Sequence, residues 1–372
     1  MSKIIFTVTN DLTYDRRMLR IGTSLAKAGF EIVLVGRELN TSQPFHNQYI
    51  KHKRFQLFFN KGKLFYLEYN LRLFIWLLFQ RFDIVCGVDL DTIVPCYWAS
   101  KIKGNKPCVY DAHELFSEVP EVISRPKIQR FWLGIERYIV PKVKHSYTVS
   151  QSIVEEFRTR YNVDFQLIRN LPVRQDFKFK ISDFKSQISN LKSPILLYQG
   201  ALNEGRGIET AIEAMQHIDH AELWLVGEGD LSKILRGSVQ EKKLENKVKF
   251  LGYITPDKLH DITLQATIGL NIPENKGLSY YYSLPNKFLD YIQAGLPQIS
   301  VDWVEFQRLN DAFDIALLIP NTDIDTVVTA IKRLLEDAAY YQKLKRNCLK
   351  AAEILCWEEE EKKLIAFYKN LN

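Results

Sequence analysis

The sequence predicts an α/β protein with two domains, each built on a parallel sheet that helices cover on both faces. Short apolar runs typical of buried strands alternate with helical patterns along almost the whole chain. The alternation occurs in two series, and a polar stretch without a sustained helical period separates them at residues 171–193. At 372 residues the chain also exceeds the length at which one core keeps growing, so two domains are expected.

The first series predicts a Rossmann-like domain over residues 1–170. Its strands are IIFTV, EIVLVG, DIVCGV, CVYDA and SYTVS, with helices such as DRRMLRIGTSLAKAG and TIVPCYWASKIK between them. The second series predicts a similar domain over residues 194–356, with strands PILLYQG, ELWLVGEG, VKFLGY, IGLNIP and QISV. Its helices are ETAIEAMQHI, LSKILRGSVQEKK, PDKLHDITLQA and NKFLDYIQAG. Because such sheets bind ligands beyond the carboxyl ends of their strands, residues that follow strands are the first candidates for a site.

The composition restricts the class of protein. With 46% hydrophobic and 25% charged residues the chain resembles a soluble globular protein, and no apolar run reaches the roughly 20 residues that span a bilayer. The N-terminal MSKIIFTV predicts a strand rather than a signal peptide, so we expect a cytoplasmic protein. A net charge of +6 is mild for a nucleic-acid binder, and the five cysteines lack the spacing of a disulfide framework or a zinc site.

One segment of the first half, LFYLEYNLRLFIWLLFQ at residues 64–80, is apolar over most of its circumference. We favour a core helix between a sheet and a neighbouring helix, because Glu68, Asn70 and Arg72 leave a polar edge. The alternative is a helix at a membrane interface, since basic residues surround the segment. The aromatic and basic residues 125–145 extend that surface or form an ordinary amphipathic helix. The alternative implies peripheral contact with an anionic membrane, at the inner face of the cell membrane.

The most informative segment is SYYYSLPNKFLDYIQAGLPQIS, which predicts a helix that starts at Pro285 and ends near Gly295. The unsatisfied N–H groups of a helix start attract anions. Lys287 and Asp290 are three residues apart and share a face, so the amine can meet a diphosphate while the carboxylate accepts from ribose hydroxyls. An ordinary capped helix with a chance ion pair is the alternative.

Two glycine-rich turns in the second half can approach a phosphate. YQGALNEGRGIETAIEAM predicts a strand, a turn and a helix, and its Gly205 and Gly207 flank a cation, Arg206, that can hold two phosphate oxygens. A flexible turn with an exposed arginine is the alternative. The turn in ELWLVGEGDL, with Gly227 and Glu228, also allows close approach, although such turns are common without a ligand.

The best acid and base candidates follow the strand CVYDA. His113 can hydrogen-bond a sugar hydroxyl or a developing charge, and Glu114 can orient it or accept from an acceptor hydroxyl. A helix start stabilised by carboxylates is the alternative.

The segment GVDLDT contains an Asp-x-Asp, which in some enzymes holds a metal beside a nucleotide diphosphate. Because Arg206 and Lys287 can neutralise the phosphates, we expect no metal. We assign Asp89 and Asp91 either to the acceptor side, where the substrate hydroxyl that receives the transferred group would bind, or to helix capping. The acceptor-side candidates are Asp15, Arg16, Asp89, Asp91 and Glu114.

Together these segments resemble the retaining glycosyltransferases of the GT-B fold, in the group 1 (family 4-like) class of bacterial surface-polysaccharide enzymes. YQGALNEGRGIETAIEA looks like the phosphate loop, LVGEGDL and FLGYITPDKL like the base-binding turns, and LPNKFLDYIQAGLPQIS like the donor-binding helix. CWEEEEKKLIAFYKNL resembles the last helix, which in this fold crosses back to the first domain, here at residues 357–372. The resemblance implies two Rossmann-like domains that face a central cleft.

The resemblance also implies roles for individual residues. The catalytic group is His113 at the transferred sugar, with Arg206 and Lys287 at the donor diphosphate. The donor-binding residues are Gly205, Gly207, Gly227, Glu228, Tyr253, Ser283, Asn286 and Asp290, the last at the ribose. Tyr282 and Ala201 stand where the family usually has a glutamate and an arginine. No metal and no cofactor are implied beyond a nucleoside diphosphate sugar, with a UDP sugar favoured over a GDP sugar.

The implied activity is metal-independent, retaining transfer of a hexose to a hydroxyl of a glycan or lipid-linked glycan, in bacterial surface polysaccharide synthesis. Two alternatives remain. A sugar-nucleotide 2-epimerase uses the same fold, and a non-catalytic subunit would account for Tyr282 and Ala201. No nucleic-acid partner is expected.

Overall fold

The computed structural model describes residues 1–174 and 193–371, so most of the predicted 171–193 linker lies outside the described residues. The chain divides into two compact units. Unit 1 contains Met1–Asn170, Gly277–Ser279 and Glu359–Asn372, and unit 2 contains Leu171–Lys276 and Tyr280–Glu358. Each unit has a parallel sheet with helices, which confirms the predicted α/β class with two Rossmann-like domains. Within these ranges no helix combines the length and the apolar character that crossing a bilayer requires.

Unit 1 is built on a seven-stranded sheet of order β3-β2-β1-β4-β5-β6-β7. The strands are β1 Lys3–Asp11, β2 Glu31–Glu38, β3 Ile50–Gln56, β4 Ile84–Val88, β5 Cys108–Ala112, β6 His145–Thr148 and β7 Gln166–Leu167. Strands β4 and β5 are buried along their whole length, as expected for central strands covered on both faces. Strand β3 was not predicted from the sequence, because its central residues are exposed and polar at the sheet edge.

The helices of unit 1 are α1 Arg16–Lys27, α2 Gly62–Phe79, α3 Ile93–Ile102, α4 Pro120–Ile123, α5 Pro126–Ile139 and α6 Gln151–Tyr161. The last helix of the chain, Trp357–Lys369, belongs to unit 1 from Glu359 onward. Its Tyr368 is fully buried, 5.7 Å between ring centroids from Phe6 of β1. The expectation that the C-terminal helix returns to the first domain is therefore confirmed.

Helix α2 shows why its sequence left two alternatives open. Phe65, Tyr69, Leu73 and Leu77 form one face, which is buried against unit 1. The opposite face is also apolar and is exposed to solvent. The core interpretation therefore describes one face only.

Unit 2 is built on a six-stranded sheet of order β10-β9-β8-β11-β12-β13. The strands are β8 Ile195–Gln199, β9 Glu222–Val226, β10 Val248–Gly252, β11 Ile268–Asn271, β12 Gln298–Val301 and β13 Ala316–Ile319. The helices are α7 Ile208–Ala214, α8 Ser232–Glu241, α9 Pro256–Thr263, α11 Asn286–Gln293, α12 Val304–Phe313, α13 Ile324–Glu336 and α14 Ala338–Ile354. Helix α10, Leu278–Tyr281, begins in unit 1 and ends in unit 2, and the last helix, Trp357–Lys369, is α15. All strand pairs are parallel.

Candidate active site

Lys287 lies in the first turn of α11, and its amine is buried. The neighbouring Phe288, Leu289 and Ile292 pack into the core of unit 2 and draw this side of the helix inward. Lys287 is only 8% exposed, and within residues 1–174 and 193–371 its Nζ has no hydrogen-bond partner. Its nearest aromatic neighbour is Tyr198, whose ring centroid is 3.9 Å from Nζ. An amine buried in this way is costly unless an anion completes its surroundings.

The electrostatic surroundings of Lys287 disfavour the charged form of its amine. Burial, and then the positive charge of Arg206, lower the pKa of the Lys287 amine well below its ordinary value. The alternative interpretation, in which Lys287 forms a chance ion pair with Asp290, is therefore wrong, since the described residues give the amine no acidic partner. A bound diphosphate would reverse this effect, because a nearby negative charge favours the protonated amine.

Arg206 is held in the turn between β8 and α7 by the two glycines that flank it. Gly205 and Gly207 have φ values of +76° and +72°, in the left-handed region that favours glycine. A Cβ at Gly207 would collide with the carbonyl oxygen of Ile272. The Arg206 guanidinium lies 4.6 Å from the ring centroid of Tyr280 and forms no ion pair with the described residues. The backbone therefore presents this cation in a fixed turn.

Asp290 is oriented by a chain of hydrogen bonds that the sequence did not reveal. Its Oδ2 accepts from the side-chain amide of Gln199 at 3.0 Å, and Gln199 Oε1 accepts from the Thr263 hydroxyl at 2.9 Å. Gln199 is buried and is the last residue of β8, so it was a polar residue at the carboxyl end of an apolar strand. That position was the only sequence signal for this residue, and Thr263 gave none.

The remaining donor-side candidates have varied surroundings. Gly227 has φ +126°, and a Cβ there would collide with the carbonyl oxygen of Gly200. Glu228 pairs with Arg236 at 2.6 Å, so its carboxylate is already engaged. The other three are Tyr253, which is largely exposed, Ser283, whose hydroxyl donates to the Tyr280 carbonyl at 2.7 Å, and Asn286, the exposed first residue of α11.

In unit 1, His113 is held by Asp89. The distance from His113 Nδ1 to Asp89 Oδ2 is 2.5 Å, and the backbone N–H of His113 donates to Oδ1 at 3.1 Å. Asp89 adopts a left-handed φ of +58°, with its N–H donating to the Asp111 carbonyl. The carboxylate that orients the ring is therefore that of Asp89 rather than Glu114. Asp89 does not cap the following helix, since the N-cap of α3 is Thr92.

The contact with Asp89 sets the charge of His113. Burial of the inner side of the ring lowers its pKa, but the Asp89 charge and hydrogen bond more than offset this and raise the pKa to about 9. The ring keeps 42% of its surface exposed, so it can still meet a ligand. At neutral pH it is a protonated hydrogen-bond donor rather than a general base.

Two further carboxyl groups of unit 1 hold protons near neutral pH. Burial, and then the negative charge of Asp89, raise the pKa of Asp91 to about 7, and its Oδ2 accepts from the Thr9 hydroxyl at 2.5 Å. The same causes raise the pKa of Glu114 to about 7. Such groups can donate to or accept from the hydroxyls of a sugar.

Asp15 and Arg16 lie at the start of α1, and Asp15 contacts the backbone of its own helix. Asp15 is the N-cap of that helix, and its side chain accepts from the backbone N–H of Met18 at 3.0 Å. Arg16 is exposed. The next residue, Arg17, was not a candidate, yet it donates two hydrogen bonds of 2.6 Å to the fully buried Asp111. In the described parts of the chain no group of three or more histidine, cysteine or acidic residues is arranged to hold a metal ion.

Two Rossmann-like units with parallel sheets place the protein in the α/β class to which the GT-B glycosyltransferases belong. Two family models match it. The model described as "Glycosyl transferases group 1" matches residues 179–352, and the model described as "Glycosyltransferase Family 4" matches residues 15–172. The chain belongs to the group 1 glycosyltransferases. No curated protein sequence matches it.

Solved structures show the same fold over the whole chain. Sucrose-phosphate synthase from Thermosynechococcus elongatus is 20% identical with a TM-score of 0.82, covering 100% of this chain and 99% of that chain. Alr3699/HepE of Anabaena, in complex with UDP, is 15% identical with a TM-score of 0.76, covering 100% of both. WaaG, a glycosyltransferase involved in lipopolysaccharide biosynthesis, is 14% identical with a TM-score of 0.71, covering 98% and 99%.

Proposed function

We propose that this glycosyltransferase is a retaining, metal-independent hexosyltransferase that uses a nucleoside diphosphate sugar, with a UDP sugar favoured. Its acceptor is a hydroxyl of a glycan or lipid-linked glycan of a bacterial surface polysaccharide, and it works on the cytoplasmic side of the membrane. The donor class is supported by the Anabaena structures with UDP and with UDP-glucose. The acceptor class is supported by the role of WaaG in lipopolysaccharide biosynthesis.

The observation that carries the proposal is the pair of cations in unit 2. The buried Lys287 amine has no acidic partner in the described residues, and the Arg206 charge acts on it directly. Two positive charges that act on each other repel, and an anion beside them offsets the repulsion; a diphosphate supplies two negative charges and several acceptor oxygens. Cations that neutralise a leaving phosphate do the work that a divalent ion does elsewhere, which supports metal independence.

The chemistry that we propose uses few protein groups. The bond between the anomeric carbon and the phosphate oxygen breaks, and the acceptor oxygen bonds to the same face of that carbon. The leaving phosphate oxygen takes the acceptor proton while Arg206 and Lys287 stabilise its charge. Protonated His113 donates to a hydroxyl of the transferred sugar and holds it in place. No protein nucleophile takes part.

A thermal-shift screen against UDP, GDP and ADP, each with and without EDTA, tests the donor assignment. A ligand that binds only the folded protein raises the melting temperature. We expect a shift with UDP that EDTA leaves unchanged, and a loss of that shift in Arg206→Ala and Lys287→Ala. Lys233→Ala, which removes an exposed cation of α8 in the same unit, is the matched control and should keep it. No shift with any nucleotide, or a full shift in both site variants, would contradict the proposal.

The stereochemical outcome needs a separate measurement. When water replaces the acceptor, the enzyme should slowly release the sugar with the anomeric configuration that it had in the donor. NMR of the fresh product distinguishes the two anomers. An inverted product would exclude front-face attack, and an epimerised nucleotide sugar would identify the 2-epimerase alternative.

A further inference from the structure

The outward face of α2 is an apolar stripe that runs the length of the helix. Leu67 and Leu71 are 66% and 56% exposed, and Phe79 at the C-terminal end is 81% exposed. Leu64 and Ile75 complete the stripe at the same spacing of three or four residues. An 18-residue helix is about 27 Å long, so the stripe is far more extended than scattered exposed apolar residues. It therefore requires an explanation as an interaction surface.

Two phenylalanines extend the stripe beyond the start of the helix. Phe58 and Phe59 are exposed, and their backbone N–H groups donate to the Glu68 carboxylate at 3.0 and 2.9 Å. Arg72 also pairs with Glu68 at 2.8 Å, and its guanidinium lies 5.3 Å from the centroid of the Phe58 ring. These contacts fix the phenylalanines beside the helix. They also neutralise Glu68, which is the only acidic residue in residues 57–82.

Basic residues border the stripe at both ends. Lys61 and Lys63 are exposed at the start of α2, and Arg81 is exposed just after its end. Among the described residues these three cations form no ion pair. Residues 57–82 thus carry three basic residues beyond the Glu68–Arg72 pair, whose charges cancel. An apolar stripe with a cationic border has the composition of a surface that binds at the interface of an anionic bilayer.

Helix α5 packs against α2 and places further exposed aromatic and basic residues beside it. Its Trp132 contacts Tyr66 of α2, with 5.2 Å between the ring centroids. The adjacent Phe131 is exposed, and so are the neighbouring cations Lys127 and Arg130. Residues 125–145 therefore continue the basic and aromatic character next to α2.

We propose that the outward face of α2, with Phe58 and Phe59, is a docking surface for an anionic lipid bilayer. The charges favour this occupant over a second copy of the chain, because self-association through this face would bring Lys61, Lys63 and Arg81 close to the same residues of the copy. Lipid headgroups of opposite sign would instead pair with them. The inference rests on the proposed function in one respect: a lipid-linked acceptor is held in the bilayer, so docking would bring the enzyme to its acceptor.

Flotation of the full chain with vesicles tests the surface without any need for activity. We expect binding to vesicles of phosphatidylcholine with phosphatidylglycerol, and much weaker binding to phosphatidylcholine alone or at high salt. The double variant Leu67→Ser/Leu71→Ser should reduce binding by about tenfold or more, because it removes two side chains from the apolar contact. The matched control is Ile234→Ser/Ile354→Ser in unit 2, whose side chains are 66% and 58% exposed and should not matter.

A second variant guards against misfolding of the first. Lys61→Gln/Lys63→Gln should weaken binding to the anionic vesicles and leave the weak binding to neutral vesicles unchanged. The UDP-induced thermal shift, which reports on unit 2, should persist in both variants and so separates loss of docking from loss of the donor site. Docking is overturned if the wild-type chain does not float, or if the α2 variants float as well as the control. It is also overturned if light scattering shows a dimer that Leu67→Ser/Leu71→Ser abolishes.

Discussion

Replacing Lys287 by methionine separates what the buried amine costs the nucleotide-free protein from what it contributes to a bound diphosphate. Methionine is unbranched and of similar length, so it fills the same space beside Tyr198 without a charge. The Lys287 amine has no partner within the described residues, and burial lowers its pKa. The variant should therefore be more stable than the wild type and should bind nucleotide less tightly.

The sizes of the two effects follow from the surroundings of the amine. A buried donor without a partner costs about 1–3 kcal/mol, and contact with an aromatic ring such as Tyr198 returns about 0.5–1 kcal/mol. The net gain of about 0–2.5 kcal/mol corresponds to a rise in melting temperature of up to about 10 °C for a domain the size of unit 2. Loss of a charge-assisted hydrogen bond of about 1.5–3 kcal/mol weakens nucleotide binding by about 10- to 150-fold.

The pH dependence of the stability difference gives an independent check. Because the pKa of Lys287 is lower in the folded protein than in the unfolded chain, the unfolded chain binds more protons between the two values. The stability of the wild type therefore rises with pH across that window, and the methionine variant lacks this rise. The advantage of the variant should be largest near neutral pH and should shrink as the pH approaches the ordinary value for lysine.

Thermal unfolding from pH 7 to 10 and calorimetric titration with UDP measure these effects. Lys233→Met, an exposed cation of unit 2, is the matched control and should change neither quantity appreciably. The reasoning is refuted if Lys287→Met is less stable than the wild type at neutral pH, or if it binds UDP with unchanged affinity. Either result would mean that the Lys287 amine already has a partner within the protein and is not an unfilled anion-binding group.

Three other substitutions test the rest of the framework. Asp89→Asn removes the charge that raises the pKa of His113 to about 9, so an NMR titration should show the ring titrating about 2.5 units lower, at about 6.5 or below, and turnover at pH 8 should fall. Gly207→Ala forces an alanine into φ +72° against a backbone carbonyl, so a denaturant titration should show a loss of about 1–2 kcal/mol or more, and the UDP shift should disappear. Arg17→Met leaves the buried Asp111 carboxylate without its cationic partner and with the Tyr147 hydroxyl as a remaining donor, which should cost about 3–5 kcal/mol in urea unfolding; unchanged stability would contradict the importance of the Arg17–Asp111 pair.

The sequence predicted the candidate site best where a site residue depends on a local backbone feature, such as a turn or the end of a helix. The turn around Arg206 was recognisable because Gly205 and Gly207 both need a left-handed φ, which glycine adopts readily. Helix α11 was recognisable from Pro285 and Gly295, although Pro285 is the N-cap and not the first helical residue. These features depend on neighbouring residues only, so a single sequence shows them.

Contacts between distant residues were not predictable in the same way. Gln199 meets Asp290 across 91 residues, and Arg17 meets Asp111 across 94. Neither pair leaves a spacing that could be read along the chain. The contact between Asp89 and His113 could have been predicted from the sequence. Asp89 directly follows β4, His113 directly follows β5, and these strands are parallel neighbours. Residues just beyond the ends of adjacent parallel strands meet at one edge of the sheet.

The charges of the two candidate sites differ in sign, and this difference supports an assignment of substrates. In unit 2, Arg206 and Lys287 offer positive charge without a balancing carboxylate on the amine. In unit 1, the group around Asp89 is rich in carboxyl groups, which repel phosphate but hydrogen-bond well to hydroxyls. A diphosphate is therefore expected to bind unit 2, while the neutral, hydroxyl-rich part of a substrate suits unit 1. The protonated His113 fits this division, because its charge is already balanced by Asp89 and leaves it as a donor to a sugar oxygen.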